Sequence, residues 1–479
     1  WVPPLKSLQA QFLASPVTVR GQPAGDPGCF IARPTVPASC DRLSRTARWE
    51  VRETATYLGR HPVLPYLLNG GGVAFQPSSG GLYLSRLLTT MVAAALLASS
   101  VALAVTRRRA FLLLGLIIVA TPSMLAGFGV LSSSPLEITT SILAFVIIAL
   151  FAEDEPMTPR LVVVLAASLA ALALSRPISF LWAGLAGLTM LVLLPWRNLA
   201  ALFRRRSVKA AAVLLGLALV VSLAWYFFLS ADPDPSYDPF LSRARLPGEQ
   251  GAGTLGTQLE YYRQHPLARL AQLVLLIPVF WQQSLGAIGF NEYAGPWALH
   301  LGWSAVTAIV VGMGALFSSR RRVLLLVLFF IVVLVLPVVV QFAYFLQTGP
   351  FWQGRYNLPI QAAIVILAVA ILDRVRTRVP ELRRILLPAV GFCGVLHLLA
   401  FYGGLRRYVV GTGGPLSPPE WGAGWQPPLP PVSLLVLMAV VLGITYGLAA
   451  VTLRILAPPD YATVDGEPLL ARPQIPVVR

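Results

Sequence analysis

The chain has 479 residues, of which 56% are hydrophobic and only 12% are charged, and its mean hydropathy is +0.71. A soluble protein could not bury so much apolar surface in one core, so these values exclude a soluble domain and indicate a polytopic membrane protein. The formal charge of +17 would suggest nucleic acid in a soluble chain, but the arginines stand in short clusters between apolar runs, which is typical of cytoplasmic loops and argues against a nucleic-acid partner.

The first segment of the chain, residues 1–81, is predicted to form an extracytoplasmic loop. Because the chain begins at Trp1 and is expected to start outside, one further span is expected upstream. Cys29 and Cys40 form a close pair in this loop, which predicts a disulfide in an oxidising compartment; the alternative is two free thiols. The scattered histidines predict no metal site, and a divalent cation is compatible with the sequence but is not indicated by it.

Apolar runs long enough to cross about 30 Å of hydrocarbon predict an all-α polytopic membrane protein. About eleven transmembrane helices are expected in this chain, and about twelve with the upstream span. The predicted spans are 82–104, 110–131, 135–151, 160–175, 177–195, 209–230, 297–317, 323–347, 357–373, 385–403 and 432–456. Several of these runs are joined by only a few residues, so they are predicted to form helical hairpins.

Basic clusters orient these spans, because cytoplasmic loops carry an excess of Lys and Arg. The clusters lie at 107–109, 204–206, 320–322 and 374–378. Placing them inside assigns transmembrane regions to 82–230, 297–403 and 432–456, extracytoplasmic loops to 231–296, 348–356 and 404–431, and a cytoplasmic tail to 457–479. The acidic turn at 152–159 is also predicted inside, since Asp and Glu contribute little to the rule.

The apolar run at 267–290 is nearly long enough to span, but this topology requires that it does not cross. If it crossed, the basic cluster at 320–322 would lie outside. We therefore predict an interfacial or re-entrant helix on the outer face, interrupted by Pro278 and Gly286.

The stretch FWQGRYNLPI at 351–360 places a cation and several hydrogen-bonding groups where a span begins. Arg355 is predicted outside, where the positive-inside rule gives no reason for it, and an arginine beside amide and hydroxyl donors suits a phosphate. Gly354 would let a ligand approach closely. The alternative is that Arg355 is an interfacial anchor. The predicted donor-phosphate ligands are Arg355, Tyr356, Gln353, Arg176, Arg406 and Arg407.

Carboxylates predicted on the outer side are candidates for the general base that deprotonates a sugar hydroxyl. These candidates are Glu137, Glu292, Asp26 and Asp41. Glu137 opens a span near the outer surface, and the alternative for it is a helix-start role favoured by the helix dipole. No His, Cys or Ser arrangement suggests a nucleophile, and no Gly-rich loop suggests nucleotide binding, so an activated donor would have to be lipid-linked.

A family resemblance is carried by an ordered set of stretches: RHPVLPYLLNGGG, GLYLSRLLTTM, ATPSMLAGFGVLSSSPLEI, SRPISFLW, GAIGFNEYAGPW, FWQGRYNLPI and LRRYVVG. The set resembles the bacterial membrane family known as domain of unknown function 2142, over roughly residues 25–411. The paired cysteines also match its high-GC members. The resemblance implies a fold similar to the class-C glycosyltransferases (GT-C), an active site on the outer face, and a polyprenyl-phosphate sugar as donor.

Carried over by position, Arg355 and Tyr356 fall on the family's QGRY motif, Glu137 on its acid, and Glu292 where it often has an Asp. The chain departs from the family in its first loop, where a PDE..H-like motif is expected after the first span. No acid precedes Asp26 in this chain. Either the motif lies upstream of Trp1 or this chain lacks it.

Together with the predicted topology, the resemblance thus implies a glycosyltransferase of the bacterial plasma (inner) membrane that acts on the outer face. Its partners would be a polyprenyl-phosphate sugar donor, an envelope glycan or lipid acceptor, and membrane lipids. One alternative is a non-catalytic subunit of an envelope-assembly complex. Another is a transporter or flippase of lipid-linked glycans, which charges buried in the middle of the spans would favour.

Overall fold

The described part of the chain is built from α-helices, and its only β-structure is an isolated bridge between Ile288 and Tyr293. The computed structural model describes residues 33–40, 62, 64–76, 79–153, 155–194, 206–225, 227, 260–289, 293–348, 352–375, 379–422, 427 and 429–456. The prediction of an all-α polytopic membrane protein is confirmed, because the apolar runs form long helices whose exposed surface is largely hydrophobic.

The helices follow the predicted apolar runs closely, and one further helix lies in the predicted first loop. In chain order they are α1 Leu64–Phe75, α2 Ser79–Thr106, α3 Ala110–Val119, α4 Pro122–Phe128, α5 Ser134–Ala152, α6 Pro159–Ala173, α7 Ser179–Leu193, α8 Arg206–Ala224, α9 Pro266–Leu275, α10 Ile277–Gly286, α11 Trp297–Leu316, α12 Arg320–Thr348, α13 Leu358–Val375, α14 Leu386–Val410 and α15 Pro431–Leu456. The unexpected helix, α1, packs against α2 as an antiparallel hairpin.

Fewer helices meet the length of a membrane span than the predicted eleven. Within the described residues, eight are long and apolar enough, or nine if the bent pair α3 and α4 is one span. The other two runs form α6 and α7, which have 15 residues each. A helix of that length extends only about 22 Å, which is shorter than the hydrocarbon core.

The predicted span at 110–131 is broken, with a bend of 71° between α3 and α4. Pro122 causes the break, because it lacks an N–H, clashes with the carbonyl four residues earlier and forces Thr121 into an extended conformation. The carbonyl left without a helical donor is that of Ile118. It accepts a hydrogen bond from Trp303 Nε1 on α11 at 2.9 Å, so the polar group is satisfied inside the apolar bundle.

The segment predicted to be interfacial or re-entrant, 267–290, forms two helices of ten residues, α9 and α10. The chain breaks at Leu276, and Pro278 lies in the first turn of α10 rather than at the break. Each helix extends only about 15 Å, too short to span. On α9, Leu267 is exposed while Leu273 packs against α12, which is the pattern of a helix lying along the side of the bundle.

Two helices, α5 and α13, form the centre of the molecule, and nearly all of their residues are buried. Both sequences are apolar around the whole circumference, which is typical of a fully surrounded helix. They pack against each other, and α2, α3, α6, α7, α11 and α12 pack around them. Glycine permits the closest approaches: a Cβ on Gly115 of α3 would lie 2.5 Å from Val369 Cγ2 of α13.

The acidic turn at 152–159 lies among three of the four predicted basic clusters. Its carboxylates within the described residues belong to Glu153 and Glu155, and both bind arginines. The ion pairs are Arg107 Nη1 to Glu155 Oε2 at 2.8 Å, Arg109 Nη2 to Glu155 Oε1 at 3.0 Å, Arg374 Nη1 to Glu153 Oε2 at 3.7 Å, and Arg322 to Glu153. We call the end of the bundle that contains these ion pairs the basic end. These clusters meet at one end of the bundle, as the predicted topology requires.

The basic end also contains a helix cap supplied by another helix. Asp373, near the end of α13, accepts hydrogen bonds from the backbone N–H groups of Phe111 at 3.0 Å and Leu112 at 2.9 Å. These are first-turn donors of α3 that have no partner within their own helix. The buried carboxylate therefore fixes α3 to α13. The opposite end, where α5 and α13 begin, contains the QGRY sequence, and we call it the QGRY end.

Candidate functional site

The QGRY sequence forms a single 3-10 turn, Gly354–Asn357, directly before α13. The turn is tied to α10, because the Gly354 N–H donates to Gln283 Oε1 at 2.9 Å. It is also tied to α12, because the Trp352 N–H donates to Gln341 Oε1 at 3.1 Å. A Cβ on Gly354 would lie 2.1 Å from the carbonyl oxygen of Phe280. The glycine thus leaves room for α10, not for a ligand as the sequence suggested.

A proline inside α12 provides a third attachment for this turn. Pro337 has no N–H, so the carbonyl of Val333, four residues earlier, lacks its usual helical donor. Asn357 Nδ2 donates to that carbonyl at 3.4 Å. Three bonds from separate positions therefore hold the turn, and the two side chains between them, Arg355 and Tyr356, project from a fixed backbone.

Arg176 lies in the turn between α6 and α7 and is 7% exposed. Its Nη2 donates to Ser134 Oγ at 2.8 Å, and its Nε donates to Ser133 Oγ. The same Nε lies 3.5 Å from Glu137 Oε2. Its guanidinium carbon lies 4.5 Å from the centroid of the Tyr356 ring. Both the edge and the face of this guanidinium are therefore in contact with the protein.

Glu137 occupies the first turn of α5, as predicted, but its side chain is completely buried rather than open to the surface. Its Oε1 accepts a hydrogen bond from Ser179 Oγ at 2.7 Å. Trp182 lies beside the carboxylate, and Arg355 is close enough to interact with it electrostatically. The helix dipole of α5 also favours a negative charge at this position.

Arg355 and Tyr356 are half-buried. The guanidinium carbon of Arg355 lies 5.8 Å from the centroid of the Tyr356 ring, so both arginines lie within 6 Å of one aromatic ring. Trp352 packs edge-to-face on the same ring, with centroids 5.6 Å apart. Gln353 is also half-buried, and its carbonyl accepts the Tyr356 N–H at 2.9 Å. Among the described residues, two guanidinium groups, one carboxylate and the N-terminal ends of two central helices lie in this region, a combination that favours an anionic ligand.

Arg407, another predicted phosphate ligand, is completely buried at the end of α14. It donates to the carbonyl oxygens of Val36 at 2.7 Å and Arg33 at 3.1 Å. A Cβ on Gly411 would lie 2.1 Å from the carbonyl oxygen of Thr35. Arg407 thus fixes residues 33–40 to α14, and its contact with a phosphate stays a prediction.

Arg406 is likewise engaged with backbone carbonyls, and it donates to those of Thr412 at 2.9 Å and Pro415 at 3.1 Å. Tyr293 lies in the same neighbourhood. Burial raises the pKa of the Tyr293 hydroxyl, and the charge of Arg406 opposes that rise. Arg406 therefore stabilises the turn after α14, and its proposed phosphate contact also stays a prediction.

The remaining predicted site residues, Asp26, Asp41, Glu292 and Cys29, lie outside the described residues. Cys40 ends the short 3-10 turn Ala38–Cys40 and is disulfide-bonded. Within the part of the chain that the structure describes, no group of three His, Cys, Asp or Glu side chains is placed to hold a metal ion.

Arg176, Glu137, Arg355 and Tyr356, with the serines that bind Arg176 and Glu137, form the arginine cluster of the QGRY end. The serines of this cluster were not singled out from the sequence. Ser133 and Ser134 precede Glu137 in SSSPLEI, and Ser179 follows Arg176 in SRPISF. A serine is too common beside a helix start to be a signal alone. The available signal was an acid in the first turn of one helix and an arginine in the turn before another, each near serines.

The fold and the cluster together define a polytopic helical membrane protein with a rigid arginine-containing site at one end of its bundle. Residues 44–364, more than half of the chain, match the family described as "Predicted membrane protein (DUF2142)", and the chain belongs to this family. The resemblance noted in the sequence is thereby confirmed, and the matched region contains Glu137, Arg176 and the QGRY turn. No curated protein and no solved structure matches the chain.

Proposed function

We propose that this protein is an integral membrane glycosyltransferase of the bacterial plasma membrane. It transfers a sugar from a polyprenyl-phosphate donor to an envelope glycan or lipid acceptor on the extracytoplasmic face. The observation that carries the proposal is the pair of guanidinium groups, Arg176 and Arg355, held against the Tyr356 ring where two central helices begin. Arginine and helix N-termini are both suited to bind phosphate.

The reaction is a direct displacement at the anomeric carbon of the sugar. A bond forms between the acceptor oxygen and that carbon, the bond to the phosphate oxygen breaks, and the acceptor proton passes to a carboxylate. Arg355, supported by Tyr356, stabilises the negative charge that develops on the departing lipid phosphate. Because three hydrogen bonds hold its turn, this group needs little rearrangement during the reaction. Asp26, Asp41, Glu137 and Glu292 are the candidate bases that the sequence offers.

The distribution of buried charges favours an enzyme over a transporter. In the described helices, each buried Arg, Asp or Glu lies in a terminal turn or a connecting turn. A transport path would instead place charges near the middle of the spans. His397, which does lie inside α14, is bonded to the Ala120 carbonyl at 2.8 Å and to the Tyr446 hydroxyl at 2.6 Å, so it links α14 and α15 to the break between α3 and α4.

A non-catalytic subunit of an envelope-assembly complex is the second candidate. The burial of Glu137 supports it, because the one candidate base among the described residues is enclosed by the chain's own groups. The same arginine cluster would then bind a lipid phosphate without chemistry.

The direct test is sugar transfer by the purified protein in nanodiscs, using several radiolabelled polyprenyl-phosphate sugars with an envelope glycan extract as acceptor. The assay is run with Mg²⁺, with Mn²⁺ and with EDTA. Transfer by the wild type that is lost in Arg355→Ala, but kept in Arg160→Ala, supports an enzyme. Arg160 is a suitable control because it is exposed in the first turn of α6 at the opposite end. Binding of donor without transfer supports the second candidate.

A further inference from the structure

We propose that Glu137 is a positioning residue, not the base of the reaction. Its carboxylate fixes Arg176, and Arg176 in turn fixes the Tyr356 ring beside the phosphate-binding Arg355. This inference rests on the proposed function for its substrate, a polyprenyl phosphate, and it assigns the acid that the sequence offered as a base to a different role.

The first argument is access. A general base must come within about 2.6–3.2 Å of the hydroxyl that it deprotonates. The Glu137 side chain is 0% exposed, and the chain's own groups surround it. Ser179 donates to Oε1 at 2.7 Å, and Arg176 Nε lies 3.5 Å from Oε2. An acceptor sugar has no route to either oxygen in this arrangement.

The second argument is the way in which Arg176 is held. An arginine has five N–H donors in one plane, and that plane also has two faces that stack on aromatic rings. Here Ser133, Ser134 and Glu137 occupy its edge, while the Tyr356 ring lies against it. Since Arg176 is itself 7% exposed, its charge needs a buried counter-ion, and Glu137 supplies one.

The third argument is the connection to the phosphate site. Tyr356 is the neighbour of Arg355 within one 3-10 turn, and its ring lies within 6 Å of both guanidinium groups. A displacement of Arg176 would therefore free the ring that lies near both cations. A misplacement of only about 1 Å in a positioning group can lower the rate of a catalysed reaction by about 100-fold.

The experiment compares Glu137→Gln with Glu137→Asp. Glutamine keeps the size and can still accept from Ser179, but it removes the counter-ion; aspartate keeps the charge. The first measurement is binding of polyprenyl phosphate, without sugar, to each protein in nanodiscs. We expect Glu137→Gln to bind about tenfold more weakly, and Glu137→Asp to recover part of the loss. Thermal unfolding of each variant shows whether the fold is retained.

The second measurement is the transfer reaction, read as a split between kcat and KM. A positioning role predicts a raised KM for the donor, a smaller change in kcat, and an unchanged acidic limb in the pH profile of Glu137→Gln. If Glu137 were the base, kcat would fall by about 10²–10⁴, the acidic limb would disappear and binding of polyprenyl phosphate would be unchanged. That second pattern overturns the inference.

The third measurement is independent of the proposed function. A cryo-EM map of Glu137→Gln shows whether Arg176 and the Tyr356 ring have moved, and an unmoved pair overturns the positioning role. If the wild type binds no polyprenyl phosphate and the pair has moved in the variant, the proposed function has failed while the positioning role of Glu137 stands.

Discussion

The two ends of the bundle use arginine in different ways. At the basic end, Glu153 and Glu155 bind arginines from the turn before α3, from the start of α12 and from the end of α13, so cations and carboxylates lie together. At the QGRY end, Arg176 contacts one carboxylate, two serine hydroxyls and an aromatic ring. Arg407 is held by backbone carbonyls. The serine hydroxyls and the backbone carbonyls orient these guanidinium groups without adding negative charge.

This difference distinguishes arginines that hold helix ends together from arginines that could bind an anionic ligand. The ion pairs at the basic end hold helix ends together, and each arginine charge is compensated by a carboxylate. At the QGRY end the described groups place one carboxylate, Glu137, near two guanidinium groups on a rigid backbone, an arrangement whose positive field can act on an anionic ligand. We therefore expect substitutions at the basic end to change stability, and substitutions at the QGRY end to change binding.

The largest expected effect is that of Arg355→Ala. Loss of a preorganised cation that stabilises a developing charge typically lowers the rate by about 100-fold or more. We expect this loss in sugar transfer, measured with a radiolabelled donor, with a thermal unfolding midpoint close to that of the wild type. An equally large loss in Arg160→Ala, at the other end of α6, would contradict the assignment of the ends.

Gly354→Ala is expected to damage the site through packing. The added Cβ would lie 2.1 Å from the Phe280 carbonyl oxygen and 2.6 Å from Gln283 Cβ, so the turn must move away from α10. Overpacking of this kind typically costs about 1–3 kcal/mol. We expect a lower unfolding temperature together with weaker binding of polyprenyl phosphate. Gly443→Ala on α15, where the new Cβ would meet no atom within 4 Å, is the matched control.

Glu153→Gln is expected to destabilise the basic end without affecting the site. The Glu153 side chain is 3% exposed and faces Arg322 and Arg374, whose side chains are 17% and 60% exposed. Because water screens the partners partly, the expected loss is about 1–2 kcal/mol, below that of a fully buried pair. Thermal unfolding measures the loss. Unchanged KM and kcat at low temperature are expected, and a raised donor KM would break the separation of the two ends.

The sequence was most informative where apolar length decides the structure. Each predicted apolar run contains a helix, and the basic clusters at 107–109, 320–322 and 374 meet at one end as their topology required. The bend at Pro122 was missed because the apolar run continues through it, and the donor that satisfies the freed carbonyl comes from Trp303, far along the chain. A hydropathy pattern does not predict a hydrogen bond between residues so far apart in the sequence.

At the candidate site, too, the sequence identified residues but not their contacts. Glu137, Arg176, Arg355 and Tyr356 were each identified from residue type and predicted side of the membrane. Their contact with one another depends on how α5, α7 and α13 pack, which no local pattern encodes. The sequence also suggested that Gly354 makes room for a ligand, whereas the packing of α10 explains this glycine.

The smallest expected effect tests whether the QGRY turn is rigid because of α12. Asn357→Ala removes the donor to the Val333 carbonyl, which Pro337 leaves without a helical partner. A buried carbonyl without a donor typically costs about 1–3 kcal/mol, but this bond is long at 3.4 Å, so we expect about 1 kcal/mol. In Pro337→Ala the helical N–H returns to Val333, and the added loss from Asn357→Ala should be smaller than in the wild-type background. Equal losses in the two backgrounds would show that Asn357 acts through other contacts, and that the proline does not set the position of Arg355.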